Sequence, residues 1–351
     1  MIPCRVVALA ATIGVAVISL HAQNKDNDQF RFRSGVELIN VTATVSDIDG
    51  RFVPNLTQDD FIVYEDDARV DVTHFSAERV PVSLGIALDT SGSMAGEKMD
   101  AARAAIRRFV SELLDRNDEL FLFRFSNYPV LVQGWTRDRR DLLDPLERLQ
   151  PNGATAMYDA VARAIPLAQQ GQNRKKALVV ISDGNDTSSR TEIRDLREQI
   201  RQSEVLVYAI GIDTEGEQVG RRAPVSPPRI PIPIPRRFPG GPGGGGIGFP
   251  PPTPQPPIGG GGGTWQGRSF DDRVNISALR DMTDDSGGRT EIIRSTRDLD
   301  PATAGIADEL SKQYFLGYPS AEKKDGRWHT IRVEAKTRGY RVRARRGYFA
   351  N

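Results

Sequence analysis

The sequence predicts an α/β fold, a doubly wound and mostly parallel sheet inserted in a small β-sandwich-like domain. Three observations predict it. Between residues 82 and 312, short apolar runs of strand composition alternate with amphipathic helical runs, the pattern of a parallel sheet covered on both faces. The two ends of the chain read as strands, and each is too small to hold a core alone, so they are expected to pair. A segment dense in proline and glycine interrupts the α/β part without ending it.

Taken in order, residues 1–22 carry Arg5, an apolar run over 6–20 and a small residue at Ala22, which predicts a secretory leader cleaved after Ala22. The run is short for a bilayer span, which needs about 20 apolar residues. An uncleaved leader is therefore the only route to a membrane that the sequence offers. Residues 30–80 form the N-terminal part of the β-domain, with strands at 37–46, 60–65 and 69–76 and turns at Asp49-Gly50 and Asp66-Asp67. Residues 81–312 form the α/β domain. Its strands are expected at 82–88, 120–125, 130–135, 177–182, 205–212 and 290–293, and its helices at 98–114, 139–149, 156–169, 191–202, 275–282 and 301–313. Residues 224–263 contain 14 Pro and 12 Gly, too little apolar surface to offset ordering, so 217–267 is expected to be a disordered insertion. Residues 313–350 complete the β-domain, with a hairpin of 330–336 and 340–346 about Thr337-Arg338-Gly339.

Composition removes whole classes of function. Lys and Arg number 47 against 46 Asp and Glu, so no net charge favours a nucleic acid. The single cysteine, Cys4, lies in the expected leader, which leaves no thiol or thiolate site. With the leader removed, His74 and His329 remain, too few for a three-histidine zinc centre. Chemistry here has to come from carboxylates and hydroxyls.

Those groups gather at strand ends. Asp89, Ser91 and Ser93 follow the first α/β strand, Thr155 precedes a helix, and Asp183 closes a later strand. In open α/β sheets, ligands bind beyond the carboxyl ends of strands where the winding reverses. Two carboxylates and three hydroxyls, with no nitrogen or sulfur, suit Mg²⁺ or Mn²⁺ rather than zinc or copper. So few carboxylates leave a bound ion electrophilic toward an acidic group from outside.

The succession Asp89-x-Ser91-x-Ser93, then Thr155, then Asp183-Gly184 resembles the metal-ion-dependent adhesion site of von Willebrand factor A domains. The resemblance covers about residues 82–312 apart from the insertion. It implies a six-stranded doubly wound sheet, the five residues as metal ligands, and a protein ligand presenting an acidic residue to the metal. The flanks, at residues 45–51, 56–61, 314–318 and 345–348, resemble a von Willebrand factor A-related family described in acidobacteria.

Two rival functions compete with this reading. Asp183, Gly184 and Asp186 superficially resemble a haloacid-dehalogenase-like phosphatase. That chemistry needs an acid two residues after the first-strand aspartate, where this chain has Ser91. The basic stretch 323–346 offers a charge surface for an acidic glycan, lipid headgroups or nucleic acid. The preferred reading is an ordinary solvated face balanced by acids such as Asp59, Asp60, Glu65, Asp66 and Asp67. The sequence thus predicts an exported, non-enzymatic, metal-dependent protein-binding module, with a structural envelope component that ignores the metal as the alternative.

Overall fold

The computed structural model describes residues 38–183, 186–213, 274–320 and 325–350. The leader expected at 1–22 and the insertion expected at 217–267 lie outside these residues.

β1 (Leu38–Ser46) alternates strictly enough to bury Ile39, Val41, Ala43 and Val45 on one face. β2 (Phe61–Glu65) and β3 (Ala68–Val70) are joined by a tight turn whose two residues, Asp66 and Asp67, both take positive φ, as the turn chemistry predicts. β4 (His74–Ser76) follows. The single strand expected at 69–76 is therefore two. The chain breaks over 71–73 because Val70 and Phe75 reach the same core from different sheets.

β5 (Val82–Asp89) is buried along its whole length, as a central parallel strand should be. α1 (Glu97–Arg108) continues into a π-turn over Phe109–Leu113 and buries Met99, Ala102, Ile106 and Phe109, the stripe that its spacing predicts. Next come β6 (Glu119–Phe125), β7 (Pro129–Thr136), α2 (Arg139–Glu147), α3 (Met157–Gln169), β8 (Lys175–Ser182), α4 (Ile193–Gln202) and β9 (Leu206–Ile212). Beyond the undescribed stretch lie α5 (Ile276–Thr283), β10 (Thr290–Ile293) and α6 (Leu299–Lys312). These strands form one six-stranded sheet in the order β10-β9-β8-β5-β6-β7, parallel except for β7. From β5 the chain winds outward to β6 and β7. It then crosses back through α3 to β8 on the other side of β5 and winds outward again. The reversal opens a crevice at the carboxyl ends of β5 and β8.

β11 (Tyr314–Pro319), β12 (Trp328–Ala335), β13 (Arg341–Ala344) and β14 (Gly347–Phe349) complete the fold. They combine with the N-terminal strands into two further sheets, β13-β1-β11-β4 and β14-β12-β2-β3, around a separate core. β11 and β14 carry no strand expectation from sequence. β11 is buried from Tyr314 through Tyr318, so it shows no alternation to read.

The expected hairpin of 330–336 and 340–346 does not form. β12 has β14 on one edge and β2 on the other, while β13 pairs with β1 in the opposite sheet. Ile331 and Val333 on one side and Val342 and Ala344 on the other join the same core from the two sheets. Two strands with apolar faces can satisfy them across a sandwich as well as side by side.

That separation also corrects the expected basic face. Arg332 does pair with Asp67, and with Glu334. Arg343, Arg345 and Arg346 instead reach Glu309, Glu204 and Asp285, all in the α/β part of the chain. Glu309 is the centre of that junction. One of its oxygens accepts from Thr44 Oγ1 at 3.1 Å, from Tyr208 Oη at 2.9 Å and from Arg343, and Arg289 lies 3.0 Å from the other.

Candidate metal centre

The site is built where β5 and β8 end side by side. Leu88 is in register with Ile181, which brings the next residues, Asp89 and then Asp183, into the crevice. Asp89 is fully buried. Its Oδ1 accepts the Ser91 amide at 2.7 Å, closing the turn that leaves the strand, and its Oδ2 accepts the Ser182 hydroxyl at 2.5 Å. The Ser91 and Ser93 hydroxyls lie 3.0 Å apart, and Ser93 donates to Asp183 Oδ1 at 2.8 Å. Ser93 is exposed, so this set opens to solvent on that side. The other oxygen of Asp183 holds the Lys98 ammonium.

The loop that carries Thr155 is tied to the turn after Asp89 through backbone contacts. The Asn152 amide donates to the Thr90 carbonyl at 2.8 Å, and the Gly92 amide donates to the Gly153 carbonyl at 2.9 Å. Gly153 has φ of +82°, and a Cβ there would lie 2.7 Å from the Asn127 side chain, so both conformation and space require glycine. On its other flank, the Thr155 carbonyl accepts the Thr187 amide at 2.8 Å. The loop carrying Thr155 thereby clasps both aspartate loops.

Burial pushes the Asp89 carboxyl up to about 7, against the hydrogen bonds from Ser182 and Ser91, and the neighbouring Asp183 adds to the rise. A cation in the crevice would relieve both causes. Among the described residues no group of three or more His, Cys, Asp or Glu side chains is placed to hold a metal ion, so a metal here rests on two carboxylates and hydroxyls. That donor set fits a hard divalent ion, and Lys98 already places one positive charge on it. The residues that would hold the metal are Asp89, Ser91, Ser93, Thr155 and Asp183. Asp186, the acid of the phosphatase comparison, is occupied otherwise. It accepts the Tyr158 amide of α3 at 2.8 Å and the Ser189 hydroxyl at 2.5 Å.

Residues 84–185, from β5 to the end of β8, match the family model of the von Willebrand factor type A domain. This segment is similar to a type A domain. It is similar to mouse inter-alpha-trypsin inhibitor heavy chain H2, 25% identical over 159 residues that make up 40% of this chain. The match spans only 17% of the mouse protein's length. A von Willebrand factor type A structure from Catenulispora acidiphila covers 91% of this chain and 74% of its own, at 13% identity and a TM-score of 0.47. Proximal thread matrix protein 1 from the mussel byssus, with its MIDAS motif occupied by zinc, covers 72% of this chain and 50% of its own, at 12% identity and a TM-score of 0.45.

Around the candidate site, sequence reasoning missed Ser182 and Lys98. Ser182 carries no signal beyond its place before Asp183. Lys98 does carry one. It is the second residue of α1, where the helix dipole disfavours a cation, so a nearby acid was to be expected.

Proposed function

We propose that the chain is an exported, metal-dependent protein-binding module that captures an acidic group of a partner protein through Mg²⁺ or Mn²⁺. The observation that carries the reading is the hydrogen-bonded run Ser182–Asp89–Ser91–Ser93–Asp183 at the sheet's reversal point, open to solvent at Ser93. Two carboxylates and neutral hydroxyls no more than balance a divalent ion held there, and a partner carboxylate entering an open position completes its shell. Residues 81–312 carry this activity, and 30–80 with 313–350 form the β-domain that presents it. The type A relatives support a binding role over an enzymatic one. The leader that the sequence predicts over residues 1–22 supports export to the periplasm, the cell surface or the medium.

A second reading, an envelope assembly component that does not use the metal, is favoured by one observation: Lys98 satisfies Asp183 without an ion. Capture of partner proteins from envelope extracts, run with Mg²⁺ and with chelator, separates the two. Capture that needs the metal and is lost in Asp89→Ala supports the first reading. Capture indifferent to chelator supports the second.

A further inference from the structure

We propose that Lys98 is a built-in competitor of the divalent ion, a residue that sets how tightly the site takes metal. The inference rests on the metal-binding reading and goes beyond it, because Lys98 is none of the five expected ligands.

The Asp183 side chain is fully buried, and a buried carboxylate needs a counter-charge. Lys98 supplies it. Its stem reaches from the first turn of α1, and its ammonium, 23% exposed as a side chain, sits on Asp183 Oδ2. The opposite oxygen, Oδ1, faces Ser93 and through it Ser91 and Asp89. The lysine is therefore on the far oxygen from the other donors, and it withdraws half of Asp183 from any ion placed among them.

The start of α1 is fixed rather than free. Glu97 accepts the Thr296 hydroxyl at 2.7 Å, and Gly96 enters the helix at φ +77°. Lys98 is thus delivered to one place, at the helix end where its charge is least favoured. Two cations sharing one buried carboxylate repel each other. A divalent ion binding Asp183 must either displace the ammonium or accept a single, partly neutralised oxygen. Both weaken metal binding. They also keep the ion short of negative charge and so receptive to an outside carboxylate.

The test is isothermal titration of the full-length purified protein with Mn²⁺ and with Mg²⁺, comparing wild type, Lys98→Gln, Lys98→Met and Lys98→Arg. Lys98→Gln retains a donor for Asp183 and preserves the fold if the methionine variant does not. Removing the charge should tighten metal binding on the order of tenfold, the size of a modest ion pair expressed in affinity. The metal-induced rise in melting temperature should grow in parallel, and Lys98→Arg should stay near the wild type. Wild-type binding with no gain in Lys98→Gln overturns this inference and leaves the metal reading standing. Weaker binding in Lys98→Gln also overturns it, since the lysine then assists the ion. No binding in any of the four proteins overturns the metal reading itself, and this one with it.

Discussion

Replacing Asp89 by asparagine separates what the carboxylate costs the metal-free fold from what it gives the metal. Its carboxyl is fully buried, and burial raises its pKa from 3.8 to about 7. A carboxyl whose folded pKa lies above its unfolded one favours folding while protonated. Its ionisation therefore removes stability progressively as the pH rises from about 4 to about 7, and no further above that. A rise of roughly three units amounts to about 4 kcal/mol at pH 8. Asparagine keeps an acceptor for the Ser91 amide and presents a neutral donor to Ser182. In chelator, Asp89→Asn should thus lie within about 1 kcal/mol of the wild type at pH 4.5 and exceed it at pH 8, by up to about 4 kcal/mol in urea unfolding. Mg²⁺ or Mn²⁺ at pH 8 should then raise the wild type by mass action and leave the variant unmoved. Equal stabilities at pH 8 in chelator would refute the buried-charge argument. An equal response to metal would refute the role of Asp89 as a ligand.

Three other perturbations probe the rest of the molecule. His329 is clamped between Asp66, at 2.7 Å, and Asp325, at 3.2 Å; burial opposes its charge, but these hydrogen bonds outweigh it and raise its pKa above 6.5. The stability it adds is complete below that ordinary value and fades as the pH climbs through the raised one, so urea midpoints of wild type and His329→Gln should converge between pH 6 and pH 9. Glu309→Ala removes the acceptor shared by Thr44, Tyr208 and Arg343, leaving Arg289 with Glu291 and Arg343 with the Gly287 carbonyl, and should cost about 1–3 kcal/mol in urea unfolding, with Glu309→Gln losing less because it keeps an acceptor for Thr44 and Tyr208. Gly288→Ala places a Cβ 1.9 Å from the Val207 carbonyl oxygen, a backbone atom that cannot swing aside, and should lower stability by about 3 kcal/mol or more or abolish soluble expression.

Much of the fold was legible because its signals are local. β5 and β8 are apolar runs that read as buried strands without any knowledge of their neighbours, and α1 shows its stripe within four turns. The turn at Asp66-Asp67 is written in two residues. β11 was hidden by its burial on both faces, which erases the period of two. The false hairpin at 330–346 had the right strands and the right apolar faces. The error lay in the assumption that neighbours in sequence are neighbours in a sheet.

By itself the sequence determined the alternation of strands and helices and the placing of five oxygen donors at the ends of elements. Each of these depends on residues a few positions apart. Only the tertiary structure decided which edges pair, and with them which charges meet. Ser182 reaches Asp89 across 93 residues, Lys98 reaches Asp183 across 85, and Thr44 reaches Glu309 across 265. The elevated pKa of Asp89 belongs to the same class, because it arises from desolvation by every layer packed around the strand end. Such quantities have no local signature, since a side chain's surroundings exist only once the sheets have closed over it.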